Sequence, residues 1–199
     1  MNPFRFTDGV RAALARTRDE AAQMNYEYIG TEHILLGLIS DPTSLAVAML
    51  DSQAITPDEV RAAVHEQAKP GRTQPTGPDL PYSARAKRVL EEAMGEARNL
   101  GDEHVHTGHL LLGLVRDKRD LGASVLNSLG FSRDAARNDM LALLPTHKET
   151  VSAPPPPPEL PGSHAADLLE RIATSERFAP VFKQHGVDLP KLLDDLRKA

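Results

Sequence analysis

The chain has 199 residues, of which 40% are hydrophobic and 26% are charged, and its formal net charge is −5 at pH 7. This composition is typical of a soluble globular protein. The chain contains no cysteine, which excludes disulfides, thiol catalysis and cysteine-ligated metal sites. The sequence has no basic tract of the kind that binds nucleic acid, no apolar run long enough to span a membrane and no signal peptide, so we expect a cytoplasmic protein.

The first predicted unit covers residues 1–68 and consists of four helices. Thr7 is the predicted N-cap of a helix that carries an apolar stripe at helical spacing, formed by Val10, Leu14, Ala21 and Met24. Thr31 is predicted to cap a short second helix, and Ser44 begins a third. The sequence Thr56-Pro57-Asp58-Glu59 contains a capping box with proline at the first helical position, which predicts the start of a fourth helix.

A second unit, residues 82–145, repeats the first at a constant offset and without a gap. The segment GTEHILLGL at residues 30–38 returns as HTGHLLLGL at residues 106–114. Ser83, Thr107 and Ser132 are the corresponding predicted caps. Two copies of a unit with a small core are expected to pack on each other. Between them, residues 69–81 are rich in proline and glycine and predict an irregular linker, and we predict no strand anywhere.

The composition changes after the second unit. Residues 146–162 include a run of prolines that predicts an extended polyproline spacer. Residues 163–199 predict a short helical tail, with one helix from about Ala165 to Ala173 and a last helix capped by Asp188. This tail is too short for a core of its own, so we expect it to dock elsewhere or to await a partner.

The repeated motifs, RFT…IGTEHILLGL and YSARAKRVLEEAMGEARNLG…HTGHLLLGL, resemble the double N-terminal domain of the Clp AAA+ unfoldases, most of all the ClpC branch. The resemblance covers roughly residues 4–145. It implies an all-α fold of two tandem four-helix Clp repeats related by a pseudo-twofold, which receives substrates and adaptors. No G-x-x-x-x-G-K-[ST] phosphate loop occurs in the 199 residues. The expectation is therefore a stand-alone receptor module without ATPase modules, and not an enzyme.

The resemblance also implies a site for phosphoarginine. Glu32 would bind the guanidinium, and Arg5 and Thr7 would lie near the phosphate, since carboxylates pair with guanidinium groups and helix N-termini attract anions. The second repeat has Pro81, Ser83 and Gly108 at the corresponding positions. Hence the first repeat is predicted to keep the pocket and the second to have lost it. The alternative is that Glu32 only complements the dipole of its helix.

A groove between the repeats is a second surface that the resemblance implies. In the family it binds adaptor proteins and, in some relatives, cyclic peptide antibiotics. The matching positions here are Phe4, Arg11, Tyr82, Lys87 and Glu91. An exposed aromatic residue flanked by both signs of charge suits peptide recognition. The alternative is that the two aromatic residues only fasten the helix starts to the core.

Two further patterns have structural interpretations. His104, His106 and His109 lie close enough in sequence to suggest zinc ligands. His109, however, aligns with His33, whose repeat has no histidine at the other two positions, so packing or hydrogen bonding is the favoured reading and no metal is expected. Gly37 and Gly113 interrupt equivalent helices, which predicts a close approach between helices.

Two functions from different classes are compatible with the sequence. The first is a non-enzymatic binding protein of the Clp protease system, acting as an adaptor or a decoy. Its partners would be Clp unfoldase or protease components, their substrates and adaptors, or cyclic peptides, with no nucleic acid, membrane or cofactor. The second is a hydrolase that acts on phosphoarginine or another small substrate. A hydrolase needs a nucleophile, a base and an orienting group within reach, and the sequence does not assemble them.

Overall fold

The computed structural model describes residues 5–69, 71, 80–147 and 149–152. The chain divides into two units between Ser152 and Ala153, and every described residue belongs to the first unit. The predictions for Phe4, for most of the linker at 69–81, for the proline run and for the tail at 163–199 therefore lie outside the described residues.

The part of the chain that the structure describes contains eight helices in two sets of four, which confirms the all-α prediction. The first repeat comprises α1 (Asp8–Gln23), α2 (Thr31–Leu38), α3 (Leu45–Asp51) and α4 (Pro57–Gln67). The second comprises α5 (Ala84–Leu100), α6 (Thr107–Leu114), α7 (Leu121–Ser128) and α8 (Arg133–Leu143). Over the described residues, none of these helices has the length and apolar character needed to cross a bilayer.

Most predicted helix starts are confirmed. The side chain of each of five N-cap residues accepts a hydrogen bond from the backbone N–H three residues later, namely Thr7, Ser44, Thr56, Ser83 and Ser132. The capping box of Thr56 and Glu59 is also present. These caps satisfy N–H groups that a helix start leaves without partners.

The predicted caps at Thr31 and Thr107 were wrong by one residue, since each threonine is the first helical residue. The caps are Gly30 and His106. A buried histidine three residues further on accepts a hydrogen bond from the backbone N–H of each cap. Nδ1 of His33 lies 2.9 Å from the Gly30 nitrogen, and Nδ1 of His109 lies 3.0 Å from the His106 nitrogen.

The structure also contains two short strands that the sequence did not predict. Strand β1 (Arg5–Phe6) pairs in parallel with β2 (His104–Val105), so Arg5 lies opposite His104. At the equivalent place in the other half, Ile29 forms a parallel bridge with Tyr82. Strands of two residues are too short to show an alternating pattern. They join the start of each repeat to the residues that precede the second helix of the other repeat.

The centre of the fold is built from the second helices. The leucines of the two repeated segments are at most 1% exposed, namely Leu35, Leu36, Leu38, Leu111, Leu112 and Leu114. A Cβ at Gly37 would collide with the Ala13 carbonyl oxygen, and a Cβ at Gly113 would lie 2.7 Å from the Ala93 nitrogen. Both glycines therefore permit the close helix contact that the sequence predicted.

Candidate functional site

The structure places the predicted phosphoarginine residues in two different pockets. The N–H of Thr7 donates to the Val105 carbonyl at 3.1 Å, so Thr7 lies beside the second repeat. Glu32, by contrast, lines a cavity together with Ser83 and Arg85. Arg5 and Thr7 are not among the residues that line this cavity, because the pseudo-twofold builds each pocket from the first helix of one repeat and the second helix of the other.

The first pocket, here called the Glu32 pocket, is an open cavity of about 490 Å³. It lies where the loop before α2 and the starts of α2, α5 and α7 meet. Its lining residues are Tyr26, Tyr28, Gly30, Thr31, Glu32, Ser83, Ala84, Arg85 and Leu121. Tyr26 and Tyr28 form an aromatic wall, with ring centroids 5.8 Å apart in an edge-on arrangement.

Glu32 is the acidic group of this cavity and is 7% exposed. Burial raises the pKa of its carboxyl, and the charge of Asp120 raises it further. The backbone N–H of Glu32 and the hydroxyl of Thr31 act in the opposite direction by hydrogen bonding to the ionised form. A carboxylate that gives up hydration in this way gains most from a ligand that donates two hydrogen bonds and a positive charge.

The basic group of the Glu32 pocket is Arg85, in the first turn of α5. Its side chain is 67% exposed, and its Nε lies 3.3 Å from Oδ1 of Asp120. Asp120 itself is buried. Burial raises the pKa of its carboxyl, and the nearby charge of Asp117 raises it further. The pocket therefore presents one buried carboxylate, that of Glu32, together with one exposed guanidinium, which Asp120 pairs with from outside the lining. This arrangement suits a ligand that carries both a cationic and an anionic group.

The second pocket, here called the Glu149 pocket, lies at the equivalent place in the other half. It contains the carboxylate of Glu149, from the segment after α8. That carboxylate accepts a hydrogen bond from the Thr7 hydroxyl at 2.6 Å, from the Thr107 N–H at 3.1 Å and from the Thr107 hydroxyl. The Leu45 N–H also donates to it at 3.4 Å. The chain's own acid therefore occupies the donors of this pocket, and Glu149 also lines an adjoining cavity of about 490 Å³.

The replacement of glutamate by glycine in the second repeat has a packing consequence. A Cβ at Gly108 would lie 2.8 Å from the Met49 sulfur and 3.0 Å from a Leu45 methyl group. A side chain there would force the side chains of Met49 and Leu45 on α3 to move. The second repeat therefore has no carboxylate from its own helix, and Glu149 supplies one from elsewhere in the chain.

His33 and His109 are fully buried, and their bonds to the backbone confirm the packing interpretation. Burial lowers the pKa of His33 to about 4 and that of His109 to about 3. Nε2 of His109 lies 3.0 Å from a carboxylate oxygen of Asp102. Within the described ranges, no group of three or more histidine, aspartate or glutamate side chains is placed to hold a metal ion.

The predicted groove residues differ in how they are held. Arg11 donates to the Phe6 carbonyl at 3.0 Å and pairs with Asp8. Tyr82 is half-buried, and burial raises the pKa of its hydroxyl. Lys87 and Glu91 are exposed on α5. Phe4 lies outside the described residues.

Several residues of the two pockets were not found from the sequence, among them Tyr26, Tyr28, Arg85, Asp120 and Glu149. Arg85 and Asp120 belong to the second repeat, so no local pattern links them to Glu32. Glu149 lies in a segment read as linker. The only available signal was the duplication itself, since a pseudo-twofold brings the start of one repeat near the other.

Comparison with known proteins covers both repeats up to the end of α7. Residues 5–129 match the family model described as the Clp repeat (R) N-terminal domain. The chain is 38% identical over 149 residues to the negative regulator of genetic competence ClpC/MecB of Bacillus subtilis, a match that covers 75% of this chain. It is 40% identical over 140 residues to the chaperone protein ClpB of Oceanobacillus iheyensis, covering 70% of this chain. The chain spans only 18% and 17% of the lengths of these two relatives.

Solved structures show the same fold. The N-terminal domain of the chaperone ClpD from Arabidopsis thaliana superposes with a TM-score of 0.55 at 27% identity, over 70% of this chain and 97% of that one. The N-domain of ClpV from Vibrio cholerae superposes with a TM-score of 0.62 at 18% identity, over 75% of this chain and 96% of that one.

Proposed function

Because this chain belongs to the Clp repeat N-terminal domain family, we propose that it is a non-enzymatic receptor that captures proteins or peptides for the Clp protease system. Domains of this family are binding modules rather than catalytic ones. The cytoplasmic location remains a prediction.

The proposed ligand of the Glu32 pocket is a phosphoarginine side chain on a marked protein. One observation carries this proposal: a buried carboxylate and an exposed guanidinium, those of Glu32 and Arg85, line the same open cavity. The carboxylate would accept hydrogen bonds from the guanidinium of the ligand. Arg85 and the start of α5, capped by Ser83, would face its phosphate. Of the two residues first expected in this role, Thr7 bonds to Glu149 in the other pocket, and Arg5 lies opposite His104 in the short sheet.

The other proposed partners are adaptor proteins and cyclic peptides, at a surface that includes Tyr82, Lys87 and Glu91. The exposed charges of α5 beside a half-buried tyrosine support this part of the proposal. As an adaptor the protein would need a second contact surface, and as a decoy it would not. A pull-down of Clp unfoldase with the full chain, and with a chain shortened by residues 160–199, separates the two. If the full chain captures the unfoldase and the shortened chain does not, the result supports the adaptor hypothesis.

The ligand proposal is tested by calorimetric titration of phosphoarginine into the full chain. We expect about one site per chain, because the equivalent pocket is filled by Glu149 and has no carboxylate at position 108. The substitution Glu32→Gln should weaken binding by about tenfold or more, the loss expected for a charged hydrogen-bond partner. Glu66→Gln, an exposed glutamate on α4, is the matched control and should bind as the wild type does.

Two results would count against the proposal. Binding that survives Glu32→Gln would remove the assigned carboxylate from the site. Steady release of inorganic phosphate from phosphoarginine during the titration would instead support the alternative hydrolase. Free arginine and inorganic phosphate, titrated separately, should each bind more weakly than phosphoarginine, because each engages only one of the two charged groups.

A further inference from the structure

The segment 149–152, here called the strap, returns from the end of α8 to the first turn of α1. Its first residue, Glu149, places a side chain that is only 9% exposed in the Glu149 pocket. Burial alone would raise the pKa of this carboxyl, but hydrogen bonds from His106, Thr107 and Thr7 lower it to about 2. The pocket thus holds an ionised carboxylate that lies far in sequence from the residues that donate to it.

The rest of the strap is fastened separately. The N–H of Asp8 donates to the Thr150 carbonyl at 2.8 Å. The Asp8 carboxylate accepts from the Thr150 hydroxyl at 2.9 Å and from the Ser152 N–H and hydroxyl at 2.9 and 2.7 Å. Arg11 donates to the Ser152 carbonyl at 3.2 Å. Because these bonds involve residues exposed to solvent, water can replace each of them at modest cost.

The two pockets share hydroxyl groups at equivalent positions but differ in the source of their carboxylates, and Gly9 stands in the Glu149 pocket where Arg85 stands in the Glu32 pocket. Thr7 and Thr107 in the Glu149 pocket correspond to Ser83 and Thr31 in the Glu32 pocket. In the Glu32 pocket the acid next to the threonine belongs to the same helix, and the cavity stays open. In the Glu149 pocket the helix offers Gly108, and the acid is supplied by the strap. All hydrogen-bond donors of the Glu149 pocket belong to residues other than Glu149. They would still be in place to bind another anion if the Glu149 carboxylate left.

We propose that the strap is an autoinhibitory device: Glu149 occupies an oxyanion pocket in cis, and release of the strap opens that pocket to a carboxylate or phosphate group of a partner. This inference rests on the proposed receptor function, which it extends to a second, regulated site. A tethered competitor acts at a high effective concentration, so an external anion binds only when the strap is displaced or its acid is removed. The protein would then present one open pocket and one closed pocket.

The test uses the full chain and follows the backbone amide resonance of Thr107 by NMR during titration with inorganic phosphate and, separately, with acetate. In the wild type we expect no saturation. In Glu149→Ala we expect a saturable shift of the Thr107 resonance, with an affinity for one of the two anions at least about tenfold above the wild type. Phosphate and acetate distinguish a phosphate ligand from a carboxylate ligand. Asp8→Asn, which loosens the strap but keeps every donor of the pocket, should give a smaller gain.

A folded Glu149→Ala chain whose Thr107 resonance responds to neither anion would overturn the inference. If that variant does not fold, Glu149→Gln keeps the shape of the side chain, and the same pair of outcomes applies to it. Phosphoarginine binding at the Glu32 pocket is measured in the same samples. If phosphoarginine binds there but Thr107 responds to neither anion, only the inference about the strap is refuted. If phosphoarginine does not bind to the wild type, the proposed receptor function is refuted.

Discussion

The hydroxyl of Thr107 accepts a hydrogen bond at 3.1 Å from the backbone N–H of Ala46, which belongs to the other repeat. The relationship is duplicated, since the hydroxyl of Thr31 accepts from the Gly122 N–H at 3.2 Å. In each case the threonine at the start of a second helix holds the third helix of the other repeat. These two bonds fix the repeats at the positions where the two pockets form.

Removing one of these bonds should destabilise the whole domain. Thr31→Val keeps the shape of the side chain but leaves the buried Gly122 N–H without its acceptor. We expect the free energy of unfolding to fall by about 1–3 kcal/mol, the cost of an unsatisfied buried donor. Urea denaturation measures the change.

Thr43→Val is the control for this substitution, because Thr43 is exposed and its hydroxyl bonds only the nearby Asp41. Its effect should stay within about 0.5 kcal/mol. Equal effects of the two substitutions would show that the contact between the repeats contributes little.

The glycines of the second helices provide a test of the helix packing. Gly113→Ala places a methyl group 2.7 Å from the Ala93 nitrogen and 2.8 Å from the Val89 oxygen, so α5 and α6 must separate. We expect a loss of about 1–3 kcal/mol or more. Gly95→Ala, in the same helix pair, meets nothing within 4 Å and should instead stabilise by about 0.5–1 kcal/mol. Thermal unfolding of both variants would contradict the packing if their melting temperatures moved in the same direction.

The buried histidines predict a dependence of stability on pH. Unfolded histidine titrates near pH 6.5, but burial lowers the folded pKa of His33 to about 4 and of His109 to about 3. Between these values the unfolded state holds more protons, so the free energy of unfolding falls as the pH is lowered from 6.5. The slope should approach about 1.4 kcal/mol per pH unit for each histidine.

Measurements between about pH 6.5 and 5 avoid the Glu149 carboxyl, which has a folded pKa of about 2 and loses its contribution only at lower pH. The raised pKa values of Glu32 and Asp120 give a slope of the opposite sign, so the histidine effect is read as the difference between wild type and variant. His33→Gln should reduce the slope, while His65→Gln, which changes an exposed residue, should leave it unchanged. An unchanged slope in His33→Gln would mean that the buried ring is not the source.

The fold was largely predictable because its determinants are local or repeated. Thr56 and Glu59 carry a complete capping box within four residues, and the apolar spacing of each helix is evident in one repeat and confirmed by the other. The caps before Thr31 and Thr107 were misplaced because Gly30 and His106 make no side-chain cap bond, and a histidine at the third helical position accepts from the cap N–H, the role that glutamate has in a capping box. Strands β1 and β2 were not predicted because each has only two residues.

The site was only partly predictable. The sequence named Glu32 for the first site and Ser83 for the second, and it did not name Arg85; the three line one cavity, beside the pairing of Ile29 with Tyr82. Nothing in the sequence around Glu149 indicates that its carboxylate enters a pocket 42 residues away in sequence, at Thr107. Tertiary structure, and not local pattern, brings these groups together.

The central claim is that the two pockets, although related by the pseudo-twofold, differ in access: the Glu32 carboxylate lines an open cavity, whereas the hydroxyls of Thr7 and Thr107 are already bonded to Glu149. The most direct measurement is a titration of the wild-type full chain with phosphoarginine, followed through all backbone amide resonances. We predict that the shifts concentrate at Glu32, Arg85 and Leu121. Shifts at Thr7 and Thr107 with none at Glu32 would contradict the account.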